Sequence, residues 1–190
     1  QMESLATYIV VNPGTNQRSL LATFWQEWLN KQAQPGAKRA VKKPSSDAIS
    51  KLRKWIGGSG RAEAGARWLP KATTYTFSDE VVCDWDVFQE LTAHGAPEKV
   101  EDTAQLTRAL GLVRGAPFAN AGYRYAWTEE PGGVASEIRF AVTETAREVS
   151  KRHLRVGRFK EAAVAARAGL RCDDADPDLI KLLLEATKKF

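Results

Sequence analysis

A chain of 190 residues with 43% hydrophobic and 27% charged side chains has the balance of a folded globular protein, not a disordered one, and is long enough for one domain with a real core or two small ones. No apolar run approaches the roughly 18–20 residues that a membrane-spanning helix needs. The net charge of +5 is unevenly spread: from Arg18 to Lys71 twelve Lys or Arg stand against three acids (Glu27, Asp47, Glu63), whereas from Val81 to Phe190 sixteen bases meet seventeen acids. A basic region beside a neutral one is the footprint of a polyanion-binding module joined to something else.

The apolar stretch "LATYIVV" near the start lacks both a basic leader and a cleavage site, so it does not read as a signal peptide. Gln1 is an unusual first residue, and we expect a domain of a longer chain, residing in the cytoplasm. Leu5, Tyr8, Ile9 and Val10 or Val11 space out as one face of a short helix over 3–11. Pro13 and Gly14 stop it. Asn16 is a good N-cap for a second helix, "QRSLLATFWQEWLN", with Leu20, Leu21, Phe24, Trp25 and Trp28 as its apolar stripe.

Residues 31–44, "KQAQPGAKRAVKKP", read as a polar, basic loop. Ser45 or Ser46 then caps a third helix over 45–56, with Ile49, Leu52 and Ile56 on its inner face and Gly57-Gly58 at its end. In "RWLPKATTYTF" (67–77) the residue types change to β-formers around Pro70-Lys71-Ala72, which predicts a hairpin. Helix, helix, helix, hairpin is a winged helix-turn-helix in outline.

Beyond residue 80 the chain turns helical. Asp84 and Asp86 suit the first turn of a helix through "DVFQEL". Further helices are predicted over 101–113, 134–157, 158–172 and 176–190, with Pro177 in the first turn of the last. "GRFKEAAVAARAGL" carries small residues where two helices pack closely, as in helical-repeat hairpins. The fold expected is mainly α: a winged helix-turn-helix domain over 1–80, then an all-α tetratricopeptide-like domain over 81–190.

The residues that carry chemistry are few. Cys83 and Cys172 form neither a disulfide framework nor a metal cluster and read as free thiols, buried or half-buried, in a reducing compartment; a disulfide between them has no support in the sequence. His94 and His153 lack Cys or His partners at metal-binding spacing and read as surface or capping residues. "GGSG" (57–60) is not followed by Gly-Lys-Ser/Thr, and neither G-x-S-x-G nor H-E-x-x-H occurs. We read no enzyme, no cofactor and no small-molecule substrate.

What remains is binding. Ser46, Asp47, Ser50, Lys51, Arg53 and Lys54 fall outside the apolar stripe of helix 45–56. Lys and Arg there suit phosphates or guanine acceptors, and Ser46 and Ser50 suit base edges, whereas Asp47 repels phosphate. Lys42 and Lys43 precede the helix N-terminus, itself favourable to phosphate. Lys71 at the expected hairpin tip, with Arg67 nearby, is placed as a wing residue. Arg53 has a second reading, as the partner of an acid within the domain.

"SDAISKLRKWIG" followed by a hairpin and "YTF…VCDWDVFQEL" resembles the winged-helix domain of actinobacterial antibiotic regulatory proteins. There the recognition helix ends in Leu-Arg-x-x-Leu-Gly, matched by Leu52, Arg53 and the Ile56-Gly57 end. "LTRALGLVRGAPFANAGYRYAWTEEP" and "GRFKEAAVAARAGL" are similar to the bacterial transcriptional activator domain, which is tetratricopeptide-like. The likeness covers nearly the whole chain and is the more specific in its C-terminal half. Two departures stand in the sequence: the chain begins almost at the first helix, where the family usually has a small antiparallel sheet, and loop 31–44 is longer than the family's turn.

The resemblance implies a transcription-regulator module. The winged helix would bind double-stranded DNA and the helical domain would mediate dimerisation or protein contacts. The alternative is a protein–protein interaction module whose winged helix is a scaffold that binds no DNA. "CDWDVFQELTAHG", "ALGLVRGAPF" and "YAWTEEP" are also similar to the C-terminal part of large actinobacterial membrane proteins that join this module to a LysM segment. That variant implies a module on the cytosolic side of a membrane-anchored parent.

Overall fold

The structure, a computed structural model, describes residues 2–34, 43–58, 62–119, 121–130 and 132–189. The chain is mainly helical and divides into two compact units, Gln1–Val81 and Val82–Phe190. Among the described residues no helix is long and apolar enough to cross a membrane.

In the first unit the order is α1 (Met2–Val11), β1 (Thr15–Asn16), α2 (Gln17–Phe24), α3 (Gln26–Gln32), α4 (Pro44–Ile56), α5 (Ala62–Gly65) and β2 (Thr74–Tyr75). Asn16 caps α2 as expected, its side chain accepting a hydrogen bond from the Ser19 N–H at 3.0 Å. The single helix predicted beyond it is instead broken at Trp25, which leaves helical geometry at φ −140°, ψ 41°. Adjacent positions of an unbroken helix point about 100° apart. The break lets both Phe24 and Trp25 pack against the core of Leu5, Ile9, Leu20, Ile49, Leu52 and Leu69. Lys31 and Gln32 belong to α3 and Pro44 to α4, so the loop predicted over 31–44 is shorter at both ends; its residues 35–42 lie outside the described residues.

Neither Ser45 nor Ser46 caps α4. Lys43 occupies the cap position, and Pro44 takes the first turn, where its missing N–H is not needed. Ser45 is fully buried, with its hydroxyl unpaired. The inner face of α4 is wider than Ile49, Leu52 and Ile56 alone, since Ser45, Ala48 and Arg53 are buried too.

The hairpin predicted over 67–77 does not form. The N–H groups of Trp68 and Leu69 both donate to the Gly65 carbonyl, winding this stretch off the end of α5. The carbonyls of Leu69 and Pro70 are taken by a side chain of α4, described below, which leaves them unavailable to a ladder. Thr74 and Tyr75 do form a strand, but their partner is β1: the pairing is antiparallel, Thr15 opposite Tyr75 and Asn16 opposite Thr74. Gly65 sits where α4 and α5 touch backbone to backbone. A Cβ there would lie 1.9 Å from the Arg53 carbonyl oxygen, so only glycine fits.

The second unit holds α6 (Asp84–Leu91), α7 (Thr103–Gly111), α8 (Val134–Arg155), α9 (Phe159–Leu170) and α10 (Pro177–Thr187), with 3-10 turns over Pro97–Lys99 and Tyr123–Glu129. α8 packs on α9, α9 on α10, and α7 against both α8 and α9. The buried side of α9 consists of Ala162, Ala163, Ala165, Ala166, Ala168 and Gly169. A Cβ on Gly169 would stand 2.5 Å from Leu179 Cδ1 and 2.7 Å from Ala146 Cβ, so the smallness of this face sets how closely three helices approach. His153, expected as a surface or capping residue, is buried, and burial holds its imidazole below its ordinary pKa.

Arg147 of α8 is tied to Asp176, the residue that caps α10, and also faces Glu144 and Asp178. Burial pushes the Asp176 carboxyl up, but the Leu179 N–H and the Arg147 guanidinium outweigh it and hold the group below the ordinary carboxylate range. A depressed carboxylate contributes stability that is fully present above its unfolded pKa, about 3.9, and is lost as pH falls through the folded value. Asp176→Ala therefore removes a cap and leaves Arg147 short of its most buried partner, at a loss of about 2–4 kcal/mol. Thermal melts followed by circular dichroism are expected to show that loss at pH 7 and a difference between variant and parent that shrinks progressively as pH falls below about 4.

Candidate nucleic-acid interface

α4 is placed by three contacts. Its apolar face packs on α1 and α2 through Ile49 and Leu52. At its N-terminal end a single amide bridges it to α2: Gln17 Nε2 donates to Ser46 Oγ at 2.8 Å, and Gln17 Oε1 accepts from Lys43 Nζ at 2.9 Å. Nearer its C-terminal end Arg53 reaches inward. Its Nε donates to the Leu69 carbonyl and its Nη2 to the Pro70 carbonyl, both at 2.7 Å. Only 9% of Arg53 is exposed, and burial holds its guanidinium below its ordinary pKa, with Tyr75 opposing the shift.

The nine residues singled out in the sequence separate accordingly. Lys43, Ser46, Lys51 and Lys54 are exposed on α4 or at its start, with Ser50 half-buried among them. Among the described residues Lys51 and Lys54 make no ion pair. Arg53 is corrected from a surface contact to a buried structural residue, and its partners are two carbonyls, not the acid its second reading supposed. Its position flanks the Ile49–Leu52–Ile56 stripe, and it becomes internal because the carbonyls of Leu69 and Pro70 come to it. Arg67 is exposed but engaged, its guanidinium bonded to Glu80 at 2.5 Å and lying 4.7 Å over the Trp68 ring. Lys71 is exposed, on an irregular segment and not at a hairpin tip. Lys42 lies outside the described residues.

Two residues of this surface were not foreseen. Gln17 had no signal beyond its place after a capping Asn; its role depends on α2 and α4 meeting at their N-termini. Trp55, 52% exposed, stands on the flank of α4 beside Lys51. A large aromatic outside the Ile49–Leu52–Ile56 stripe was the signal for it.

Elsewhere, Cys83 and Cys172 are both free, and burial pushes the Cys172 thiol up to about 11, so it is protonated and inert at neutral pH. Among the described residues no group of three His, Cys, Asp or Glu could hold a metal ion. Set against protein-family models, curated proteins and solved structures, the chain matches none of them.

If Arg53 is structural, its removal is read in folding first. Arg53→Ala leaves two carbonyls without their charged donor and should destabilise the first unit by about 2–4 kcal/mol, whereas Lys54→Ala, one residue along, should change stability by no more than about 0.5 kcal/mol. Urea denaturation of the two variants followed by tryptophan fluorescence measures the contrast.

Proposed function

We propose that the first unit binds double-stranded DNA as a variant winged helix-turn-helix, and that the helical unit serves self-association or protein contact, together a module of a transcription regulator. The observation that carries this reading is the outer face of α4, where Lys51 and Lys54 stand exposed with Ser50 between them in the only strongly basic region of the chain. A recognition helix needs a packed inner face, a fixed angle and an outer face of donors. Ile49 and Leu52, the Gln17 bridge and the Arg53 tie provide the first two.

The order α1–β1–α2–α3–α4–α5–β2 supports the same reading, with β1 and β2 paired antiparallel. On this reading the irregular segment carrying the exposed Lys71 takes the part of a wing. Lys43, Lys51, Lys54 and Lys71 then serve phosphate contact, and Ser46 and Ser50 lie nearest to base edges. Arg53 and Arg67 leave that set, because both are engaged within the fold. The stacking of α8, α9 and α10 through alanines supports a tetratricopeptide-like second unit.

A second reading has one observation in its favour. Trp55 is a large aromatic held at the surface next to cationic residues, the kind of side chain that anchors protein interfaces. On that reading the first unit is a protein-docking scaffold.

Salt dependence separates the two. DNA binding through lysines should weaken linearly in log–log form as salt rises, by about 0.9 in slope for each phosphate contact. Lys51→Ala with Lys54→Ala should weaken binding across unrelated sequences and flatten the slope by about two. Fluorescence anisotropy on labelled duplexes measures both. Binding that ignores salt, or a double variant that matches the parent, rules out α4 as the DNA-reading helix; loss of a captured protein on Trp55→Ala would favour the scaffold.

A further inference from the structure

The second unit is nearly neutral in total, yet its cations are not evenly placed. A groove of about 810 Å³ runs between α7 and α9, with residues of α7, α8 and α9 together forming its floor. Arg108 stands on the α7 wall; Arg158, Lys160 and Arg171 stand at or beside the α9 wall; the one acid among the lining residues is Glu161. All five are exposed. The floor is apolar and closed: Leu110, Val149, Ala165 and Ala168 are each less than 5% exposed, and Val164, 61% exposed, projects from the α9 wall. His153 lines the same floor, and burial disfavours its charged form.

We propose that this groove docks an acidic amphipathic peptide segment of a partner protein. Four cations around an apolar floor, against a single acid, attract a segment that carries carboxylates at its edges and aliphatic side chains in its middle. The dimensions fit such a segment. Lys160 and Arg171 are eleven positions apart on one helix face, which places them about 16 Å apart along the axis. That is the rise of an acidic helix of about eleven residues, or of about five residues in extended form. A nucleic-acid strand is the poorer occupant. Single strands are held by aromatic side chains that stack on bases, and the groove lining contains aliphatic residues and one histidine but no Phe, Tyr or Trp. The groove lies entirely within the second unit, so the inference does not rest on DNA binding by the first.

The test uses the whole chain and a fluorescent 14-residue probe peptide with Glu at both ends and Leu at helical spacing between. The probe should bind saturably, and raising salt should weaken it. Arg108→Glu with Lys160→Glu reverses one charge on each wall at exposed positions, and should weaken the acidic probe roughly tenfold or more. The same double variant should gain affinity for a probe in which each Glu is replaced by Lys, an exchange that a misfolded variant cannot show. Circular dichroism melts check that the variant remains folded. Absence of saturable binding, or equal affinity of parent and double variant for the acidic probe, overturns the proposal. So does a result in which a single-stranded oligonucleotide competes for the groove and the acidic peptide does not.

Discussion

The first unit depends on one buried cation. Arg53 reaches inward from α4 and holds the carbonyls of Leu69 and Pro70. Burying a guanidinium is unfavourable unless its donors are satisfied, and here two well-placed carbonyls satisfy them. The consequences spread from that tie. It winds residues 67–70 against α4, so α5 must sit close enough that Gly65 meets the Arg53 carbonyl with no room for a side chain. It fixes where the chain emerges, which brings Tyr75 into the core and Thr74–Tyr75 alongside Thr15–Asn16. It also decides which arc of α4 remains outside: with Arg53 turned in, the exposed face centres on Asp47, Ser50, Lys51 and Lys54.

The second unit is organised by size more than by charge. Six consecutive inward positions of α9 carry nothing larger than a methyl group, so α8 and α10 approach until Leu179 and Ala146 touch the space above Gly169. Close approach brings backbone groups together, and polar side chains settle them. Ser150 donates to the Ala162 carbonyl, and Arg152 donates to the Val100 and Pro97 carbonyls, holding the segment before α7 against α8. Arg147 and Asp176 pair with each other between α8 and the start of α10. Arg152 is thus a charged group used as a backbone partner, the role that Arg53 plays in the first unit.

That common role explains which features were legible in the sequence. Elements defined by their own period or cap were read well: α8 from its apolar spacing, α10 from Pro177 in its first turn, and the start of α2 from Asn16. The mainly helical character followed from the same signals. Features defined by a distant partner were not. Thr74–Tyr75 has the composition of a strand, but the sequence offers no means of choosing β1, some 60 residues earlier, over the adjacent Trp68–Leu69. A local hairpin requires free carbonyls at 69 and 70, and only the fold shows that an arginine 16 residues before has taken them. The break at Trp25 is of the same kind, since it serves two aromatic rings whose pocket is built by α1 and α4. At the candidate interface the exposed lysines were legible because exposure asks nothing of the rest of the chain; Arg53 and Arg67 were misplaced because each has a partner elsewhere.

The same division bears on how α4 would act in the proposed role. With Arg53 turned inward, the hydrogen-bond donors left on the outer face of α4 are lysines and short hydroxyls. Lysine is a point charge without the planar fork that reads guanine bidentately, so it serves phosphate better than base edges. Ser46 already accepts a hydrogen bond from Gln17, which leaves it a donor and one lone pair for any new partner. Asp47 shares this face and opposes close approach to phosphate on its side. A helix so equipped obtains most of its affinity from the backbone and little of its discrimination from base contacts. On the proposed reading, sequence choice would therefore have to come from outside α4. Two identical modules spaced along a duplex supply it through half-site separation, and that places the burden on whatever pairs or recruits the helical unit.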